Sequence, residues 1–191
     1  MYDPKSPFNG AHLSELAQDP ADHDHLDAWL AHLHGYTKIQ HGPYNSTHGM
    51  NHTGWHGQHP KQARRVAIPN YTVDYNQLMS LLYETHARLK ESGCPWTNDY
   101  IEGEPPTKQC ALHIDGPDEK NRWAIGWYHA EFTTYPLVTA QHFELPVAIA
   151  TAIITALEGQ RAALSNVVDF ARPSAEPGTL NPEPSTVDAT R

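Results

Sequence analysis

Apolar residues recur at helical spacing in three stretches of this chain and alternate at strand spacing in others. Leu26, Trp29, Leu30 and Leu33 make one stripe, which predicts a helix over 21–34 with Asp22 as its cap and Gly35 as its stop. Tyr75, Leu78, Leu82, Thr85 and Leu89, widened by Met79 and Leu81, predict a second helix. Pro69 and Asn70 set the turn before it, Thr72 or Asp74 caps it, and Gly93 and Pro95 close it. Val147, Ile149, Ala150, Ile153, Ile154 and Leu157 predict a third helix from about Pro146, apolar around much of its girth. Gly159 either ends that helix or marks a bend before 160–170.

Between the last two helices the period changes. Residues 108–114 alternate weakly and run into Asp115-Gly116-Pro117-Asp118, which is turn chemistry. Residues 122–133 place Trp123, Ile125, Trp127 and His129 on one face and Ala124, Gly126, Tyr128, Ala130 and Phe132 on the other. Both faces are partly apolar, which predicts a central strand covered on both sides. Shorter strands are expected at 138–142 and 95–101. The resulting fold class is α+β: a small antiparallel sheet layered between helices, an α/β/α sandwich.

Length and composition set the outer limits. The 191 residues fit one domain, and 39% hydrophobic residues leave part of the chain outside a core. Residues 1–20, broken by Pro4, Pro7 and Pro20, read as a loose N-terminal arm. Residues 21–171 read as the folded domain and 172–191 as a Pro-rich tail. The polar stretch after Gly35, rich in His, Gly and Asn, reads as a long loop, and such a length of loop implies a task. The formal net charge of −9 argues against duplex nucleic acid as a partner. No run of 18 apolar residues occurs, so no membrane partner is expected. The N-terminus lacks the basic-then-apolar pattern of a secretory signal, and two cysteines fit a reducing cytoplasm.

Three segments, taken in order, resemble the phage ABA-sandwich domain family. They are Leu26-Asp27-Ala28-Trp29-Leu30-Ala31-His32-Leu33-His34-Gly35-Tyr36, then Pro69-Asn70-Tyr71-Thr72-Val73-Asp74, then the Pro-led helix from Leu145 to Leu157. The likeness spans about 26–159. The sequence departs from the family's pattern in the histidine-rich stretch and at His32-Leu33-His34, where the family more often carries an acidic-basic pair. The resemblance implies helix, sheet and helix layers and a phage-encoded protein in the cytoplasm of a bacterial host. It implies no catalytic residue, and fold does not fix function.

The candidate chemistry is sparse. Nine of the 14 histidines lie between His23 and His59, and His48, His52 and His56 recur every fourth residue. On a helix that spacing would suit zinc, but Gly49, Gly54 and Gly57 disfavour a helix, and neither His-Glu-x-x-His nor Cys-x-x-Cys occurs. No metal or other cofactor is therefore expected. Gly-x-Ser-x-Gly and the phosphate-loop motif are also missing, and His12-Leu13-Ser14 is half of a two-histidine phosphoesterase signature at most. What remains is recognition of a small anionic, aromatic ligand. Tyr36, Tyr44 and Trp55 can stack, Lys61, Arg64 and Arg65 form a basic patch, and the helix start at Asn70, Tyr71 and Asp74 offers free backbone N–H groups. Arg122 and Trp123 add a second donor and platform, and His56 joins the contact set. The expected function is that of a phage counter-defence protein. It would sequester a nucleotide-derived signal (a cyclic dinucleotide or an ADP-ribose type) without catalysis, in a pocket closed by a homo-oligomer. The alternatives are a metal-dependent phosphodiesterase using the histidine stretch and a protein-binding inhibitor of a host factor.

Overall fold

The computed structural model describes residues 22–45, 51–62, 64–95, 106–131 and 136–170, together with Leu13 and Ala17. The elements in chain order are α1 (His23–Leu33), β1 (Thr37–Asn45), β2 (Asn51–Gln58), β3 (Arg65–Ala67), α2 (Tyr75–Ser92), β4 (Cys110–Asp115), β5 (Trp123–His129), β6 (Pro136–His142) and α3 (Leu145–Phe170). The fold is α+β, with two three-stranded antiparallel sheets ordered β1-β2-β3 and β4-β5-β6. The tail at 172–191, the rest of the N-terminal arm, His48 and a strand at 96–101 lie outside the described residues.

Helix α3 is the centre of the core. Val147, Ala148, Ile149, Ala150, Ala152, Ile153, Ile154, Ala156 and Leu157 are all buried. A helix apolar on every side has to be surrounded, and this one touches α1, α2, β5 and β6. Each buried Ile, Leu or Val there contributes roughly 1.5–3 kcal/mol. The helix does not end or break at Gly159. The next residue, Gln160, is buried, and its amide donates to Ser92 Oγ (2.6 Å) and Gly93 O (2.9 Å) while accepting from Arg88 Nε (3.1 Å). Those bonds fasten α3 to the end of α2 and outweigh a cost of about 1 kcal/mol for a helical glycine.

Helix α2 starts as its sequence implies: Asp74 caps it by accepting from Gln77 N (3.2 Å). Leu78, Leu81, Leu82, Thr85 and Leu89 face the core, but Tyr75 is exposed and leaves the expected stripe. The helix stops at Gly93, whose φ of 96° suits glycine. A Cβ there would also lie 2.7 Å from Pro106 Cβ. In α1 the expected stripe is buried, and Asp27 is buried with it; Asp22 makes no side-chain capping bond. Leu13 and Ala17, from the arm read as loose, are helical and pack on the core.

Strand β5 is central, as expected, but among the described residues helices cover one face only. Ile125 and Trp127, with Val138 and Ala140 opposite them, are buried, and the Trp127 indole donates to His86 Nδ1 of α2 (3.2 Å). The other face carries Ala124, Gly126 and Tyr128 beside His113 and the exposed Asp115, Thr139 and Gln141. Gly126 makes that face possible, because a Cβ at this position would overlap the Val138 carbonyl of β6. The single sheet between two helical layers is thus corrected to two sheets, the second backed by helices on one side among the described residues.

The histidine-rich stretch is not a loop where it is described: β1 and β2 pair there antiparallel from Thr37↔Gln58 to Asn45↔Asn51. Sequence reasoning missed the hairpin because Gly42, Pro43, Gly54 and Gly57 erase the alternation of a strand. Cross-strand rings hold it instead. Tyr44 stacks on His52 (5.5 Å) and His56 (4.7 Å), both at 27°. Pro43 fits because β1 is an edge strand, where a missing N–H donor is tolerated.

Candidate functional site

Strand β3 is only three residues long and ends at Ala67, although Ile68 N still donates to Trp55 O (3.0 Å). Beyond that point the chain turns away through Pro69 and Asn70 toward α2. The edge of β2 at Thr53 and Gly54 is left facing the first turns of α1. The gap is a cleft of about 500 Å³ lined by Asp24, Asp27, Tyr44, Thr53, Gly54, Trp55 and the segment 67–70. A volume of that size suits a nucleoside-sized molecule.

Trp55 is the half-buried aromatic wall. His25 and His41 meet it at 5.1 Å and 5.5 Å in T-shaped contacts. Asp24 lies 3.1 Å from His25 Nδ1 and is exposed. Asp27 is different. It is buried, and its two oxygens accept from Thr72 N (2.8 Å) and Thr72 Oγ1 (3.1 Å). These bonds tie α1 to the turn before α2, where Val73 N and Asp74 N both donate to Asn70 O. Burial pushes the Asp27 carboxyl up to about 6, against the lowering effect of the Thr72 bonds, with nearby Asp24 adding to the rise. The cleft therefore pairs a ring with two carboxyl groups and has no Lys or Arg in its lining.

Of the residues singled out from sequence, Trp55 and Asn70 meet in this cleft. Tyr36 and Tyr71 are buried core residues, hydrogen-bonded to each other, and the Tyr36 ring meets His59 edge-on at 5.0 Å. Burial raises both phenols, Tyr71 the more strongly. His56 is buried, with Nδ1 3.2 Å from Gly54 O and Nε2 3.0 Å from Gln40 Nε2. In the neutral tautomer that donates from Nδ1 to the carbonyl, Nε2 accepts from the Gln40 amide, so both ring nitrogens are used. Asp74 is occupied with its cap and with Gln77 Nε2 (2.7 Å). Arg64 is exposed and bonds Gln62 Oε1 (2.8 Å), while Arg65 is exposed on β3 opposite Gln58. Neither reaches the cleft lining. Arg122 is held by Asp118 at the β4–β5 turn (2.7 Å), and Trp123 pairs with His142 in the second sheet. The hairpin thus places Arg64 and Arg65 toward the Gln58 end, while the cleft beside Trp55 receives the acids of α1.

Of the three histidines at four-residue spacing, His48 lies outside the described residues. His52 and His56 lie on β2, and the Tyr44 ring stacks on both. Among the described residues no group of three or more His, Cys, Asp or Glu side chains is placed to hold an ion. No helix among them is long and apolar enough to cross a membrane.

Sequence reasoning missed Asp27, the acid that contributes most to the site's character. Its signal was present: an acidic residue inside the run Leu26-Asp27-Ala28-Trp29-Leu30-Ala31, on a helix otherwise apolar at that point. A charge on a buried face requires a partner, and here the partner is Thr72. Comparison of the chain with family models, with characterised proteins and with solved structures finds no match.

Proposed function

We propose that this protein is a non-catalytic binding module that holds a small nucleotide-derived ligand by its base and ribose in the Trp55 cleft. The observation that carries this reading is the meeting of Trp55 with the carboxyl groups of Asp24 and Asp27 in a space of about 500 Å³. An aromatic wall accepts a flat base, and carboxylates accept hydrogen bonds from an exocyclic amine or a ribose diol. Phosphates are disfavoured inside an acidic lining and face outward in this reading. The sequence resemblance over 26–159 suggests the setting: a phage protein that sequesters a cyclic dinucleotide or ADP-ribose-type signal in the bacterial cytoplasm. Closure of the open side by a second copy of the chain completes the proposal.

The test is thermal melting of the full chain with adenosine, cyclic dinucleotides and cyclic ADP-ribose isomers. The ligand is then recovered by heating and identified by chromatography. A raised Tm, lost in Trp55→Ala, with the ligand returned intact, is expected. No shift with any of these compounds refutes the reading, and the appearance of cleaved product refutes its non-catalytic part. Sedimentation with and without ligand tests the second copy.

A further inference from the structure

A second cavity, of about 650 Å³, lies between α2 and β4 and is independent of the Trp55 cleft. Tyr83, His86 and Lys90 of α2 form one wall, Cys110, Leu112 and Ile114 of β4 the other. Tyr83 and Ile114 are exposed at its rim, and Cys110 is buried at its floor. Behind Cys110 sits Cys94. Gly93 packs on Pro106, and Cys94 exchanges two backbone hydrogen bonds with Thr107 (2.7 and 2.9 Å), three residues before Cys110. The two reduced thiols are brought into hydrogen-bond contact, with Cys94 donating to the Cys110 sulfur.

We propose that Cys110 is a hydroperoxide-reactive thiol opening onto the α2–β4 cavity, and that Cys94 is its resolving partner. The arrangement divides the two roles. Cys110 lines the cavity, whereas Cys94 is wholly buried. The Cys94 hydrogen bond and the nearby Lys90 ammonium favour the Cys110 thiolate, against the effect of burial; the same contact and burial keep Cys94 protonated. In the first step the Cys110 thiolate attacks one peroxide oxygen. An S–O bond forms, the O–O bond breaks, and hydroxide leaves, giving a sulfenic acid. In the second step the Cys94 sulfur attacks the Cys110 sulfur, the S–O bond breaks, and the Cys94 proton leaves with the hydroxyl as water. Two thiols and one hydrogen peroxide give one disulfide and two waters, so the thiols are oxidised and the peroxide reduced.

The experiment is treatment of the full-length reduced chain with equimolar hydrogen peroxide, followed by intact mass and non-reducing peptide mapping. Expected are the loss of two hydrogens and a Cys94–Cys110 peptide within one chain. In Cys94→Ser a sulfenic acid should accumulate on Cys110 and be trapped by a cyclic diketone. In Cys110→Ser, Cys94 should stay reduced, and Lys90→Ala should slow the reaction severalfold. Circular dichroism confirms that each variant is folded before it is scored. Oxidation of Cys94 in the absence of the Cys110 thiol, a bond only between chains, or two thiols that survive peroxide in the folded wild type would overturn the proposal. The result is read on Cys94 and Cys110, so it stands or falls apart from ligand binding at Trp55.

Discussion

Both sheets have three antiparallel strands, yet they are held in different ways. The sheet β4–β6 rests on α3 and buries Ile125, Trp127, Val138 and Ala140. The sheet β1–β3 buries little: apart from His56 and Gly57 its described residues are half-buried or exposed, and ring contacts of Tyr44 and Trp55 with histidines tie it together. Apolar burial is non-directional and strong, so the second sheet is anchored by area. Ring stacking is weaker and depends on geometry, so the first sheet can present backbone edge, rings and carboxyl groups to a cleft without losing its register. The stable half carries the fold and the polar half carries the candidate ligand site. This is the usual division between a scaffold and a binding surface.

Exchanging one tryptophan in each sheet tests that division with the largest effect. Trp127→Ala should cost about 4 kcal/mol in urea unfolding, because it empties a fully buried position and leaves His86 Nδ1 without its donor. Trp55→Ala should cost well under half as much, while abolishing the ligand-dependent rise in Tm. Equal losses from the two would remove the distinction between scaffold and site.

Asp27 gives the next largest effect. Folding raises this carboxyl from 3.8 to about 6, so the folded chain takes up a proton that the unfolded chain releases. Its contribution to stability is full below about pH 4 and is lost as pH rises through about 6. The cost at neutral pH is about 3 kcal/mol. Asp27→Asn keeps both Thr72 bonds, with its oxygen accepting from Thr72 N and its amide donating to Oγ1. It should raise Tm at pH 7 and leave it nearly unchanged at pH 4, so the gap between variant and wild type opens over that interval. Burial moves His34 and His86 the other way, below 6.5, so neutral imidazole is favoured and their share of stability is lost as the solution is acidified. Subtracting the two melting curves isolates Asp27.

Smaller still is Tyr44→Ala, which removes the stack on His52 and His56 and should cost about 1 kcal/mol. Hydrogen exchange should quicken in β1 and β2 and stay unchanged in β5. Arg122→Ala should have the least effect. Its partner Asp118 lies at an exposed turn remote in sequence from the cleft, and ligand affinity should be unaltered. A loss of affinity there would move the ligand to the second sheet.

Much of the scaffold was legible in the amino-acid order. The stripe of Leu26, Leu30 and Leu33, the Asp74 cap, the Gly93 stop and the apolar girth of 147–157 each depend on residues within a few positions of one another. Local periodicity is enough to specify them, as it is for the central strand around Trp127. Tyr75 shows where this stops: it has the right spacing but finds no neighbour to cover it.

Chain order by itself determined three helices, an antiparallel strand region and an α+β domain, because helix period, caps and turns are encoded locally. Tertiary structure decided that the histidine-rich stretch is a hairpin, that α3 passes Gly159, and that the cleft beside Trp55 is acidic. Those outcomes rest on partners far apart in sequence: Tyr44 with His56, Gln160 with Gly93, and Asp27 with Thr72. No local pattern specifies such pairs, because each contact becomes favourable only after the rest of the chain has brought its two ends together.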